Sequence, residues 1–378
     1  MLEKLVSFDT VSCNSNLELI YFVRDYLNSH GVDSHLVFSE SKNKANLYAN
    51  IGPLESGGVI LSGHTDVVPI DGQNWDTNPF KLTERNGRLF GRGACDMKGF
   101  NAIFLSLVPE MLQAKMKKPI QLALSYDEEV GCVGAPLMIK EMRENLPKAE
   151  SVIVGEPTLM KLVDGHKASI GIQTEITGYE VHSSLLPSGV SAVMASAKLI
   201  NWISEKNLEN SRKQPHSEDL DFFPSYTTLH VGKISGGTAS NITAKKCVFS
   251  LDIRCLPSEN GEEYIQSYEK YGQELELELK KTRPESRVRI SRHHWVTGLK
   301  PEKDGTAEKL VRKLTGDNLN GKVSYGTEAG QFQEHGYSVV ICGPGSIKQA
   351  HQPNEYLALN QLELGTKFIR SLITELSE

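Results

Sequence analysis

The chain has 378 residues, enough to bury a large core and to form two domains. An apolar fraction of 39% and a charged fraction of 23% are ordinary for a globular protein, and a formal net charge of −6 argues against non-specific binding of nucleic acid. The longest apolar runs fall short of the roughly 20 residues that span a bilayer, and residues 1–10 lack the regions of a signal peptide, so we expect a cytoplasmic protein without a membrane partner.

The first part of the chain alternates predicted strands and helices. The predicted elements are a helix at 17–29, a strand at 46–51, a strand from residue 59, a helix at 99–113, and strands at 120–126 and 151–154. The strand from residue 59 is rich in β-branched residues, which is typical of a strand buried on both faces. Strands that alternate with helices indicate an α/β fold with a mostly parallel sheet.

The pattern changes after Gly165 and again near Gly298. Between these points the predicted order is strand 168–177, helix 190–205, strands 226–234 and 246–256, helix 262–279 and strand 287–296. This β-α-β-β-α-β order is the ferredoxin-like pattern, a complete unit in itself. We therefore predict an inserted α+β domain at 167–297. Residues 1–166 and 298–378, which include a further strand at 338–342 and a closing helix at 362–376, form the other domain.

His64 and Asp66 follow the apolar strand that begins at Val59. On an extended segment, residues i and i+2 project to the same side, so both side chains can enter one cleft. Such a pair can provide a metal-bound imidazole whose second ring nitrogen is fixed by a carboxylate. Taken alone, the pair is more typical of a strand end followed by a polar turn.

Four further segments place acids or a histidine after predicted strands: Asp96 in a glycine-rich segment, the adjacent Glu128 and Glu129, Glu156, and His351. The ordinary alternatives are solvated loop acids at Glu128 and Glu129 and a helix cap at Glu156. The glycine spacing around Asp96 does not fit a phosphate loop. Ligands of open α/β sheets bind outside the carboxyl ends of the strands, so all five segments can converge on one crevice.

The donor set indicates which ions this crevice would bind. Two histidines and three or four carboxylates suit zinc or cobalt, and the six scattered cysteines form no Cys-x-x-Cys pair. We expect those thiols to be reduced and mostly buried, as in cytosolic proteins. One carboxylate shared between two ions would hold them about 3.5–4 Å apart, and another would remain free to move a proton.

Four motifs carry a family resemblance. His64-Thr65-Asp66, the segment GRGACDMKG at 91–99, DEEVG at 127–131 and GEPT at 155–158 resemble, in this order, the M20 family of metallopeptidases. The resemblance covers essentially the whole chain, including the inserted domain. It implies that one ion is held by His64, Asp96 and Glu156, and the other by Asp96, Glu129 and His351.

The resemblance also implies roles for the residues around the ions. Asp66 would orient His64, and Glu128 would be the general base toward the bridging water and then the general acid toward the leaving amine. The inserted domain mediates dimerisation in that family, which implies a homodimer. His182 matches a histidine that reaches the partner subunit's site and stabilises the oxyanion.

Two positions of the inserted domain resemble those that hold the substrate carboxylate in the family. They are Asn241 and Arg254, and a guanidinium group matches a carboxylate well. Without the resemblance, His182 would be a surface histidine and Arg254 part of an outward ion pair. The aspartate that the family usually has after His-x-Pro is Asn354 here, which removes no metal ligand.

The segments 236–238, 342–347 and 350–355 resemble the branch of the family that removes acyl groups from amino acids. The expected reaction is hydrolysis of N2-acetyl-L-ornithine to ornithine and acetate, a step of arginine biosynthesis. Glu328, in a loop flanked by glycines, is our hypothesis for the partner of the substrate ammonium, and a solvated loop acid is the alternative.

Three other interpretations remain open for the chain. In the first two, the mechanism is unchanged and the substrate is succinyl-diaminopimelate or a dipeptide. In the third the chain is a non-catalytic metal-binding or scaffold protein, which the retention of all five ligands and of Glu128 disfavours. The basic residues at 287–294 alternate along a predicted strand and indicate a solvated face rather than a nucleic-acid site.

Overall fold

Strands and helices alternate through most of the computed structural model, which describes residues 1–319 and 321–378. The helices are α1 (Leu2–Val6), α2 (Leu17–Ser29), α3 (Lys98–Ser106), α4 (Val108–Gln113), α5 (Ala135–Asn145), α6 (Ala192–Arg212), α7 (Gly261–Lys280), α8 (Thr306–Thr315), α9 (Ala329–Glu334) and α10 (Leu359–Glu375). The strands are β1 (Ser34–Phe38), β2 (Ala45–Ile51), β3 (Val59–His64), β4 (Thr83–Arg85), β5 (Arg88–Phe90), β6 (Ile120–Ser125), β7 (Ser151–Pro157), β8 (Val163–His166), β9 (Ala168–Thr177), β10 (Thr228–Gly236), β11 (Lys246–Cys255), β12 (Arg287–Val296), β13 (Gly321–Val323), β14 (Ser338–Gly343) and β15 (Tyr356–Ala358).

The chain divides into two compact units. The larger unit consists of Met1–Gly165, Leu299–Lys322 and Thr327–Glu378, and the smaller unit of His166–Gly298 and Val323–Gly326. The short return segment Val323–Gly326 has no signal in the sequence pattern. Its place in the smaller unit is held by hydrogen bonds such as that from the Lys167 backbone N–H to the Val323 carbonyl.

The larger unit is built on a sheet with the strand order β1-β2-β6-β3-β7-β14-β8-β13. Its central strands β6, β3, β7 and β14 run parallel to one another, while β1, β2 and β8 pair antiparallel. The strands β3, β6 and β7 are buried along their whole length, as expected for strands covered on both faces. This sheet confirms the predicted α/β class.

The predicted single helix at 99–113 is instead two helices, α3 and α4. The chain leaves the helical conformation at Leu107, and Pro109 stands in the first turn of α4. A proline has no backbone N–H and its ring clashes with the carbonyl four residues earlier, so a helix ends before it and a new one can start with it.

The smaller unit contains an antiparallel sheet with the order β10-β11-β9-β12, joined by α6 and α7. The predicted ferredoxin-like order is therefore confirmed. Apolar residues alternate along β9 and β11 on one face, and Ile170, Leu199, Leu251 and Tyr268 belong to one buried cluster. The hydroxyl of buried Tyr268 is 2.8 Å from the Thr174 hydroxyl, so burial leaves it a hydrogen-bond partner.

The predictions of reduced cysteines and of no membrane partner concern the state of the thiols and the length and polarity of the helices. All six cysteines are free, and Cys13 is the exposed one. In the described part of the chain, every helix is too short or too polar to cross a bilayer.

Candidate metal site

His64 ends β3 and enters the site with one ring nitrogen already engaged. Its Nδ1 donates a hydrogen bond to the Asp66 backbone carbonyl at 2.9 Å. Because a carbonyl can only accept, Nδ1 carries the hydrogen and Nε2 faces Asp96 Oδ1 at 3.0 Å and Glu156 Oε1 at 3.7 Å. The ring orientation is therefore that of a metal-ligating histidine whose second nitrogen is held by the protein.

Asp96 lies between the two predicted histidines. Its Oδ1 is 3.0 Å from His64 Nε2, and its Oδ2 is 3.4 Å from His351 Nε2. Asp96 is 5% exposed, while the His351 side chain is 52% exposed. A carboxylate with one oxygen toward each imidazole has the arrangement needed to bind two cations at once.

Glu128 and Glu129 follow β6 in a turn, and their carboxylates have different partners. Glu129 Oε2 is 3.0 Å from His351 Nε2, and Glu128 Oε1 accepts a hydrogen bond from the Cys132 thiol at 3.3 Å. Potential ligand atoms of His64, Asp96 and Glu129 lie within 4.8 Å of one another, and so do those of His64, Glu128 and Glu156. The structure thus places the five predicted ligands and Glu128 close together.

The Asp66 carboxylate has different partners from those predicted. Its Oδ1 is 3.6 Å from His64 Nδ1, beyond hydrogen-bond distance, and accepts the Glu128 backbone N–H at 3.1 Å. Its Oδ2 accepts the Ser12 hydroxyl at 2.7 Å and the Glu129 N–H at 3.3 Å. Asp66 orients His64 through its backbone carbonyl, whereas its side chain holds the backbone of the two glutamates.

The acids of this cluster are crowded, and their pKa values show it. Burial and the charge of Asp96 raise the pKa of Glu129 to about 7, and burial raises the pKa values of Glu128 and Glu156 well above the usual range. Hydrogen bonds to Asp96 and Glu129 raise the pKa of His351 to about 10. A cluster that holds so many carboxylates close together, with imidazole nitrogens beside them, is the donor set that a divalent cation needs.

The predicted substrate residues of the inserted domain all lie in the smaller unit. His182 is exposed at the start of a 3₁₀ turn, where its Nδ1 accepts the Ser184 backbone N–H. Asn241 lies beside it, because its carbonyl accepts the Ser183 N–H at 2.8 Å. Arg254 donates from Nε to Asp252 Oδ2 at 3.0 Å and is about one-third exposed, so an ion pair and an accessible guanidinium coexist there.

Glu328 does not lie where the sequence hypothesis needs it. It is 1% exposed, and its two carboxylate oxygens accept the hydroxyls of Ser62 at 2.5 Å and Ser125 at 2.7 Å. A carboxylate that is buried in this way is not presented to a substrate ammonium in this structure. Glu328 instead joins the start of α9 to β3 and β6 just before these strands deliver His64 and Glu128.

Two contributors to the site had no sequence prediction. Ser12, near the start of the chain, holds Asp66, and Glu355 contacts the backbone of the Asp96 loop. Glu355 stands four residues after His351 in the same motif, which was the available signal. Ser12 had none, because an isolated serine has no distinctive pattern.

Comparisons with known proteins agree with this geometry. The profile of peptidase family M20/M25/M40 matches residues 60–375. The chain is 32% identical over 376 residues to an acetylornithine deacetylase of Pasteurella multocida (strain Pm70), covering 97% of this chain and 93% of that protein. It is 34% identical over 368 residues to an acetylornithine deacetylase of Myxococcus xanthus, covering 96% of this chain and 92% of that protein.

Solved structures share the fold. An M20 family metallo-carboxypeptidase from Sulfolobus solfataricus, Sso-CP2, matches with a TM-score of 0.82 at 19% identity, covering 100% of this chain and 98% of that one. Human carnosine dipeptidase 1 matches with a TM-score of 0.75 at 17% identity, covering 100% of this chain and 96% of that one. At such identities the likeness is one of fold.

Proposed function

Since the chain belongs to peptidase family M20/M25/M40 and is a metal-dependent hydrolase, we propose that it hydrolyses N2-acetyl-L-ornithine to L-ornithine and acetate. The observation that supports this substrate is the identity of 32–34% to acetylornithine deacetylases over more than 90% of both chains. The reaction would serve arginine biosynthesis. We place it in the cytoplasm, because six free cysteines suit a reducing compartment.

The site is proposed to hold two divalent ions, zinc or alternatively cobalt. His64, Asp96 and Glu156 would hold one ion, and Asp96, Glu129 and His351 the other. Three features support the fit. His64 Nε2 is turned toward the carboxylates, one Asp96 oxygen lies near each imidazole, and several carboxylates are close together. When bound, such ions lower the pKa of a coordinated water from about 15.7 toward about 7.

Glu128 is the proposed proton carrier. Its carboxylate lies beside the ligand cluster, accepts a hydrogen bond from the Cys132 thiol, and forms no ion pair with either histidine of the cluster. In this role Glu128 accepts the proton of the attacking water and then donates it to the leaving amine. Asp66 keeps this carboxylate in place, because it accepts the backbone N–H groups of Glu128 and Glu129.

We also propose that the smaller unit pairs with its copy to form a homodimer and supplies His182, Asn241 and Arg254 to the substrate. Strand β10 is an edge of its sheet, and an edge strand can pair with another chain, although the backbone of Leu229 already bonds to the Asn207 side chain. The exposed apolar side chains of this unit include Leu185, Leu186, Met194 and Ile234. Exposed apolar groups and an edge strand are both typical of an interface. Glu328 is not part of this proposal.

A substrate panel with one metal-loaded preparation tests the function. The panel contains N2-acetyl-L-ornithine, N-acetyl-L-methionine, N-succinyl-diaminopimelate and an unacylated dipeptide. We expect the highest kcat/KM for acetylornithine. A higher kcat/KM for the succinyl compound or the dipeptide would reject the proposed substrate while keeping the family mechanism. Full activity after complete removal of metal would reject the mechanism as well.

A further inference from the structure

The carboxylate of Glu355 is buried against the backbone of the loop that carries Asp96. Its Oε1 accepts the N–H groups of Cys95 at 2.8 Å and Asp96 at 3.0 Å. Its Oε2 accepts the N–H of Gly93 at 3.0 Å and Nη1 of Arg92 at 2.8 Å. One side chain therefore accepts three backbone amides of the loop, including that of Asp96 itself.

A second set of contacts connects Arg92 to the segment that carries His351. Arg92 Nη1 also donates to the Gln352 carbonyl at 3.3 Å, and Nη2 donates to the Gln73 side chain. Gln73 in turn donates from Nε2 to the His351 carbonyl at 2.9 Å. The Arg92 guanidinium lies over the Trp75 ring, 5.0 Å from its centroid. This cation–π contact also holds the guanidinium in place.

Both members of the Glu355–Arg92 pair are almost wholly shielded from solvent, with 1% exposure each. Desolvating two charges is costly, and a buried ion pair by itself is weak evidence of a gain in stability. Here the pair is also the point where the Asp96 loop and the His351 segment meet. Its placement is therefore better explained by the geometry it imposes on these two segments.

The backbone of Glu355 is held independently of its side chain. Its carbonyl accepts the Gly91 N–H at 3.0 Å, and the next residue, Tyr356, begins the pairing of β15 with β5 opposite Phe90. A substitution of the Glu355 side chain therefore leaves the strand pairing available. The loop amides of Cys95 and Asp96 would lose their acceptor while the neighbouring strands stay in register.

From these contacts we propose that Glu355 is a positioning residue that sets the location of the Asp96 carboxylate relative to His351. The proposal rests on the proposed function, because it takes Asp96 and His351 as metal ligands. Groups that hold ligands in place typically contribute 10–100-fold to metal affinity. Since Asp96 faces both His64 and His351, its displacement weakens the binding of both ions.

Titration of the metal-free protein with Co²⁺ alone tests the proposal, followed by visible absorption and by calorimetry. The variants are Glu355→Ala, which removes all four acceptor contacts, and Glu355→Gln, which keeps the size and one acceptor oxygen. The matched control is Asp164→Asn, which breaks another buried ion pair of the same unit, with Lys322. Circular dichroism establishes that each variant is folded.

We expect Glu355→Ala to weaken Co²⁺ binding by about 10–100-fold. The Co²⁺ affinity of Glu355→Gln should lie between those of Glu355→Ala and the wild type. Asp164→Asn should bind Co²⁺ as the wild type does. Wild-type affinity in both Glu355 variants would overturn this inference alone, and so would an equal loss in the control. Failure of the wild-type protein to bind Co²⁺ would overturn the proposed function and this inference together.

Discussion

The adjacent acids Glu128 and Glu129 give a direct test of the proposed division between base and ligand. Glutamine has nearly the size of glutamate, so either substitution keeps the packing and removes a negative charge. Glu129 is 3.0 Å from His351 Nε2, whereas Glu128 accepts a hydrogen bond from Cys132. The two substitutions should therefore have different consequences, although the residues are neighbours in the chain.

For Glu128→Gln we expect kcat to fall by about 10²-fold or more, the lower end for the loss of a general base. At 1.36 kcal/mol per tenfold, this corresponds to about 2.7 kcal/mol of activation free energy. Metal content should stay near that of the wild type. The metal-free variant should unfold at no lower temperature, because burial and the neighbouring Glu129 and Asp96 disfavour a charged group at this position and the amide of glutamine carries none.

For Glu129→Gln we expect a loss of bound metal, because a neutral amide is a poorer ligand than a carboxylate. Metal content is measured by atomic emission after gel filtration, and kcat is measured with acetylornithine on the same samples. If Glu128→Gln loses metal in proportion to its loss of activity, Glu128 is a metal ligand. The proximity of Glu128 to His64 and Glu156 would permit that role. An unchanged kcat in Glu128→Gln would also reject the role of Glu128 as the general base.

Two further predictions concern stability. Chelation of the metal should lower Tm, because an ion present at 100 times its Kd stabilises the native state by about 2.7 kcal/mol. Calorimetry measures this change, and an unchanged Tm would contradict a cation at this cluster. Gly155→Ala should destabilise the fold by about 1–3 kcal/mol or more, because its new Cβ would lie 1.9 Å from Phe100 Cδ1. Gly232→Ala, whose nearest atom would be 3.6 Å away, is the control, and equal urea midpoints for the two variants would refute the packing argument.

The elements that the sequence predicted well are those whose pattern is complete within the element. The helix α2 and the strands β9 and β12 have the predicted bounds, since each carries its own apolar periodicity. The short strands β8, β13 and β15 had no prediction. Three or four residues contain too little periodicity, and such strands exist only because distant partners pair with them.

The site shows the same division between local and distant information. The position of His64, Glu128 and Glu156 at strand ends follows from local patterns, and parallel strands bring such ends to one edge. Glu328 was misread because its surroundings in sequence are a polar loop flanked by glycines. Its actual neighbours, Ser62 and Ser125, lie 266 and 203 positions away in the chain.

By itself, the sequence determined most of the kinds of element and the β-α-β-β-α-β order of the smaller unit, because these depend on residues close together in the chain. The set of metal-binding side chains is a proposal that the family resemblance supplied. Only the tertiary structure decided which of these side chains meet, with what partner and at what depth. The Asp66 carboxylate holds the glutamate backbone, and Glu355 holds the Asp96 amide across 259 positions. Such contacts form when separate segments pack together, and packing depends on the whole chain rather than on any local pattern.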